Sequence, residues 1–403
     1  MRVDSTGRFC TLAMVAALLV SPAVSWSQAT TAPSSTKSPW EAIATSQDAG
    51  EIIAARERLI KDYQFAASES RGFAYAEDAA KKCQPALAAD DPLAAVRQVN
   101  AAMAIAKMPQ VSIQPALDAM VAHSNPAVRY LGWRAYHNIR MLLLAGGQRF
   151  AQQMLTSVET ALAKEDSPVV LTALLEMAVY PATPPSTVSQ QALSEAQNRT
   201  FAALSKNWSI CGQLAMDGTV DATTAAGKAV EAAANLCDLT GRKEADKKAA
   251  AQVIVGLMWC ATKAWVDSAD EQYADEAHQG LLREAEARLN ALSGLNKRFI
   301  QKPIDDKDKE LKAALRRGAL EWLDALKEPL GVSEPKIEPR GQEPKEPGAP
   351  VAKPATKPAT PKTGITTPPN TAAKAPPAAK KAPTPAPAKK VPTPAPAKKT
   401  TKK

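Results

Sequence analysis

Histidine is almost absent from this chain of 403 residues. Three occur, His123, His137 and His278, and no two stand at a spacing that would hold a metal ion between them. Glu271, Asp275 and His278 do share a helical face at intervals of four and three, which is also the pattern of an ordinary solvated face. Nucleophilic catalysis needs a nucleophile held beside a base, and no G-x-S-x-G elbow is present. A phosphate cradle fails too. Gly218 and Gly227-Lys228 are separated by eight residues where the P-loop has four, and Ala229 stands where Ser or Thr is required. No two cysteines have the short spacing of a structural zinc site. No catalytic residue, cofactor or metal ion is expected, and the chain is not read as an enzyme.

Aromatic residues make up 5% of the chain, and Val, Ile, Phe and Tyr are sparse beside abundant alanine. Strands favour β-branched and aromatic residues, whereas alanine is the best helix former. No substantial sheet is expected, and the fold class reads as all-α.

Long apolar runs are equally scarce. Phe9 to Val20 is broken only by Thr11, but these twelve residues fall short of the roughly 20 that span a bilayer. Arg2 and Arg8 precede the run, Pro22 ends it, and Ser27 and Ala29 put small residues before a cleavage site. Residues 1–29 therefore read as a secretory signal peptide. Cys10 precedes the apolar run instead of closing it, which argues against a lipoprotein. The mature chain is expected outside the cytoplasm, in a periplasm, at a cell surface or in the medium, and no later stretch is expected to cross a membrane.

Removing the leader leaves Cys83, Cys211, Cys237 and Cys260. Four cysteines in an oxidising compartment permit three pairings. One disulfide among Cys211, Cys237 and Cys260 is allowed for, against the reading of all of them as buried thiols acting as small apolar side chains.

Acidic residues and arginine are missing entirely from Pro347 to Lys403, where there are 12 lysines. This stretch alone outweighs the net charge of +9, so the mature chain before it is mildly acidic. Residues 335–403 hold 18 of the 32 prolines, and Pro-Thr-Pro-Ala-Pro-Ala-Lys-Lys occurs at 383–390 and again at 392–399. With so little apolar bulk, residues 331–403 are expected to be a disordered Pro/Lys/Ala-rich tail. In a polyproline II form the final 57 residues would reach up to roughly 180 Å. Spaced lysine pairs on such a scaffold attract polyanions through salt-sensitive contacts, so an anionic polymer or membrane surface is an expected partner. The tail resembles linker-histone tails in composition, but the leader directs the chain away from chromatin, and nucleic acid is not expected.

Between the ends, residues 30–38 read as a linker and 39–330 as one helical domain, with a subdomain break near 181–186 at Pro181-Ala182-Thr183-Pro184-Pro185. Ser124-Asn125-Pro126 supplies an N-cap and a proline at the first helical position. Val128, Leu131, Ala135, Ile139 and Leu142 then form one apolar stripe, and Gly146-Gly147 ends it. Residues 47–89 read as N-terminal helices, with Phe65, Phe73 and Tyr75 as a cluster capping the body. Residues 186–240 read as weaker helices. The last helix is expected to carry Asp305, Asp306 and Asp308 in its first turn and to stop at Pro329.

The helix start at Pro126 recurs at Asp91-Pro92 and Ser167-Pro168, with prolines 34 and 42 residues apart. Over about residues 90–205 the chain resembles HEAT repeats, whose first helix begins with a small polar residue, a proline and a Val-Arg pair, as in Asn125-Pro126-Ala127-Val128-Arg129. Asp91-Pro92 followed by Val96-Arg97 is looser, and Ser167-Pro168-Val169-Val170 lacks the arginine. The resemblance implies antiparallel helix pairs stacked into a solenoid, each pair completing the core of the next. An irregular helical bundle is the other architecture kept open.

On the Pro126 helix, Tyr130, Trp133, Tyr136 and His137, with Arg129 and Arg134, are of the types that dominate binding hot spots. They are the candidate binding face, with packing against neighbouring helices as the alternative. The expected function is non-enzymatic: a helical body that binds a protein or peptide, with a cationic tail on an anionic envelope component. Two other classes compete, a structural envelope protein with a spacer tail and a helical enzyme with a dispersed site. The oligomeric state is not legible.

Overall fold

Helix starts in this protein follow the side chains that satisfy them. The computed structural model describes residues 37–241, 243–267 and 275–337. The expected signal peptide, most of the linker and the tail beyond Ile337 lie outside these residues. Ser38, Asp48, Asn125, Ser189 and Thr219 each cap a helix by accepting a backbone N–H two or three residues on. Among the described residues there are fifteen α-helices and no strand, so the fold is all-α.

The first half comprises α1 (Pro39–Thr45), α2 (Ala49–Ser68), α3 (Gly72–Lys82), α4 (Gln84–Leu87), α5 (Ala94–Ala106), α6 (Gln114–Val121), α7 (Pro126–Ala145) and α8 (Gln148–Leu162). The second half comprises α9 (Pro168–Ala178), α10 (Gln190–Ala215), α11 (Val220–Leu239), α12 (Glu244–Asp267), α13 (Asp275–Ser293), α14 (Gln301–Asp305) and α15 (Leu311–Leu330). Helices pack against the next helix in sequence, most extensively α10 against α11, and also against helices two or three places on. One series runs α2, α5, α7, α9, α11, α13, each against the next; the other runs α3, α6, α8, α10, α12 and then α15.

Several sequence expectations are met closely. Asn125 caps α7, its side chain accepting from Ala127 N at 3.0 Å, and the chain turns after α7 at Gly147, whose φ of 111° suits glycine. The chain is non-helical at 181–185, between α9 and α10. Other expectations shift. The helix after Asp91-Pro92 starts two residues late, because Asp91 Oδ1 takes the Leu93 N–H at 2.8 Å in a turn of its own. Leu142 stands exposed, and Trp133, Tyr136 and Leu143 share the buried face of α7 instead.

The segment read as weak helices forms α10 and α11, two long elements of the core. Ala222, Ala225, Ala226, Ala229, Ala232 and Ala233 are all fully buried, and side chains this small let neighbouring backbones approach closely. Phe65 and Phe73 do not join Tyr75 in one cluster. Tyr75 packs on Tyr63 with ring centroids 6.1 Å apart, while the two phenylalanines are exposed.

Pro329 lies inside the last helix, and the ending comes from Gly331 in the left-handed conformation, φ 60°. Asp305 belongs to α14 and Asp306 caps its end, so neither lies in the first turn of α15. By length and composition α12 could cross a membrane, contrary to the expectation that no later stretch could. Its apolar stretch has mean hydropathy 1.3 and is 67% buried within the body, so here it serves as a core helix.

Candidate functional site

The candidate face on α7 is largely spent on internal joints. Trp133 and Tyr136 are 0% exposed, and this corrects the expectation that they meet a partner at the surface. Trp133 Nε1 has no hydrogen-bond partner among the described residues. The Tyr136 hydroxyl donates to Asp118 on α6, which also accepts from Ser157 at 3.0 Å and from Gln153, both on α8. Burial and the neighbouring carboxylate push the Tyr136 phenol far up, so it stays a donor. Tyr130 is half-buried against the core.

Arg129 forks onto Glu165 through Nε at 2.9 Å and Nη2 at 2.8 Å, and its Nη1 donates to the carbonyls of His123 and Ser124. Glu165 is buried and also accepts the N–H groups of Asp166 and Ser167, which organises the entry to α9. The pairing with Glu165 raises the Arg129 pKa. Arg134 pairs with Glu176 on α9. His137 contacts Arg140, and burial together with that guanidinium lowers its pKa. Arg140 itself donates to Val179 O at 3.0 Å and lies 6.0 Å from the centroid of the Tyr180 ring.

The other histidines are similarly engaged. His123 Nε2 donates to Leu87 O at 2.9 Å while its Nδ1 accepts the Asn125 N–H. His278 is 0% exposed, beside Thr223 Oγ1 at 3.2 Å and within ring contact of Trp265. Glu271 and the Asp275 side chain, its expected companions on one face, lie outside the described residues. Among the described residues no three His, Cys, Asp or Glu side chains gather as a metal site.

Cys83, Cys211, Cys237 and Cys260 are buried, and no disulfide joins them. The bond allowed for among Cys211, Cys237 and Cys260 is not formed. Burial pushes the thiols of Cys83, Cys211 and Cys260 up to about 12, so they sit in the core as small apolar groups.

Clefts between the described residues include two with polar residues in their linings. One of about 370 Å³ lies between α8 and the start of α10, lined by residues including Gln148, Gln152, Ser189 and Glu195. The other, about 470 Å³, mixes Arg298, Lys302 and Arg317 with Asp306, Asp308 and Glu321. Neither is lined by His137 or His278.

A third arrangement was not read from the sequence at all. Beyond α15 the chain does not leave the body at residue 331, where the tail was expected to begin. Val332 is buried, and Ile337 packs against the core over α10 and α12. Gln252 on α12 donates to Ser333 O at 3.0 Å and accepts from Ser333 N at 2.9 Å. At Gly212 on α10, a Cβ would meet Ile337 Cδ1 at 2.7 Å, Cys260 Sγ at 3.2 Å and Trp208 Cζ3 at 3.4 Å. At Gly256 on α12, a Cβ would fall 2.4 Å from the Trp208 ring. Two bare glycine positions thus let the indole lie across α12 and leave a hole for one isoleucine. The only sequence signals were the pairs Trp208/Gly212 and Gly256/Cys260, each four residues apart, and nothing in one sequence says that they face each other.

No protein-family model matches the chain, no curated protein matches it in sequence, and no solved structure matches it in fold.

Proposed function

We propose that the protein is an exported, non-enzymatic binding scaffold, whose helical body holds protein or peptide partners along stacked helix pairs and whose cationic tail contacts anionic components of a cell envelope. The observation that carries this is a recurring interval of 36 to 42 residues between side-chain ties over residues 87–199. Gln114 to Phe150 O, His123 to Leu87 O and Arg129 to Glu165 each span 36 residues. Arg140 to Val179 O spans 39, Arg199 to Glu159 spans 40 and Arg134 to Glu176 spans 42. These intervals lie close to the 34 and 42 residues that separate Pro92, Pro126 and Pro168.

They favour the HEAT-like reading over an irregular bundle. Units tied at similar intervals bring equivalent faces of successive helices side by side, and that is how repeat bodies build long binding surfaces. The tail half rests on charge: 12 lysines after residue 346 with no acidic residue among them, on a mildly acidic body.

The test compares the full chain with one stopped after Lys345, which keeps every described residue. Both are passed over vesicles rich in anionic lipid and over a soluble anionic polysaccharide. The full chain is expected to bind at low salt and to release as salt rises, and equal retention of the two chains would sink the tail assignment. The body half is tested on an array of peptides from envelope proteins. It fails if neither chain retains any peptide.

A further inference from the structure

Residues 331–337 behave as a bound peptide. They form no helix, and Pro335 biases the residue before it toward an extended backbone. Their contacts with the groove between α10 and α12 are of two kinds. Gln252 uses both atoms of its side-chain amide on the backbone of Ser333, and its Oε1 also accepts the Ser333 hydroxyl at 3.4 Å. Four residues on, Ile337 enters the hole floored by Gly212 and walled by Trp208 and Cys260. Glu334 and Lys336 are exposed. Val332 is buried as well, and the lysine-rich stretch begins only at Pro347.

We propose that the groove between α10 and α12 is a binding site for an extended peptide, and that the chain's own 331–337 segment closes it in the free protein. The occupant in function is a partner segment with the same two features: a free backbone N–H and C=O at one residue, and a branched aliphatic side chain four residues later. This rests on the reading of the body as a peptide-binding scaffold and narrows it to one site. The tethered segment competes at an effective concentration in the millimolar range, so a partner must outbid it or find it withdrawn.

The experiment uses full-length protein and a fluorescent peptide of residues 330–340, followed by anisotropy. Ile337→Asp is expected to bind the peptide at least about ten-fold more tightly than the unaltered chain. Adding Gln252→Ala to it should weaken binding again. Maleimide labelling, mapped by mass spectrometry, should rise at Cys260 in Ile337→Asp and stay low at Cys83, which reports global opening. If Cys83 labels as well, Gln252→Ala alone, which keeps Ile337, is scored in the same way.

A rise at Cys260 without peptide binding overturns the proposal, while the wider scaffold reading stands or falls on the peptide array. Unchanged labelling at Cys260 overturns it too, because Ile337 then does not close the groove. A dimer formed by exchange of 331–337 between copies would make a second copy the occupant and overturn the assignment to a partner.

Discussion

The indole of Trp322 donates to the carboxylate of Glu286 at 2.9 Å, and both residues are buried. The same carboxylate accepts the N–H groups of Ile300 and Gln301 at 2.7 Å each. Glu286 therefore joins α13, the chain entering α14 and α15 through three charge-assisted bonds. Glu286→Ala strands all three donors in the interior and should cost about 3 kcal/mol or more, read from urea unfolding. Glu286→Gln keeps part of the acceptor set and should cost less. A loss below about 1 kcal/mol for Glu286→Ala would show that the carboxylate does not hold this end together.

Arg129 and Glu165 form a bidentate pair whose carboxylate is almost fully buried. A double-mutant cycle with Arg129→Ala and Glu165→Ala should give a coupling of about 2 kcal/mol. If the two losses simply add, the tie between the α7 and α9 units contributes nothing beyond separate packing.

Two helical glycines should respond to alanine with opposite sign. At Gly318 a Cβ would lie 2.4 Å from the Phe299 carbonyl oxygen, a backbone atom that cannot turn aside. Gly318→Ala should lose about 2 kcal/mol. At Gly280 on α13 nothing lies within 4 Å, and Gly280→Ala should gain about 0.5–1 kcal/mol through helix propensity. Thermal melts of both variants would expose a wrong placement of α15 against the 294–300 turn if the signs did not differ.

His137 makes stability depend on pH in a definite direction. Burial first, and then the charge of Arg140, hold its folded pKa below the ordinary 6.5. Between those two values the unfolded chain binds the proton more readily than the folded one. The contribution is therefore full above about pH 6.5 and is lost as the pH falls through the depressed folded value. The stability difference between the parent chain and His137→Asn should change across this window and level off on either side of it. A flat difference would mean that the imidazole titrates alike in both states.

The four cysteines should behave as core thiols. With the Cys83, Cys211 and Cys260 thiols pushed up to about 12, alkylation at pH 8 should be slow in the folded protein and complete in denaturant. Reductant should leave the melting midpoint in place, whereas breaking an ordinary disulfide would lower it by roughly 4 °C or more.

Much of the fold was legible because helix starts are written locally. The Asn125-Pro126 start of α7, the Gly147 turn and the break at 181–185 need only a cap, a fixed φ or a missing N–H. The candidate site was much less so. Trp133 and Tyr136 resemble hot-spot residues and also resemble core residues, and one helix cannot say which of its faces a neighbour covers. Arg129 and Arg134 were read as reaching outward, but their carboxylates stand 36 and 42 residues away. The alanines of α11 looked like weakness until the approach of neighbouring helices made their small size the point.

The sequence by itself determined an all-α body and the caps that start its helices, because capping, alanine propensity and proline geometry act within a few residues. It also determined the charge contrast between body and tail, which is a matter of composition. Tertiary structure alone decided which side chains are spent inside. It turned the α7 aromatics into joints, buried the cysteines without a disulfide and laid Ile337 over Gly212. Those outcomes depend on which faces meet across a gap of tens of residues, and no local rule of spacing carries that information.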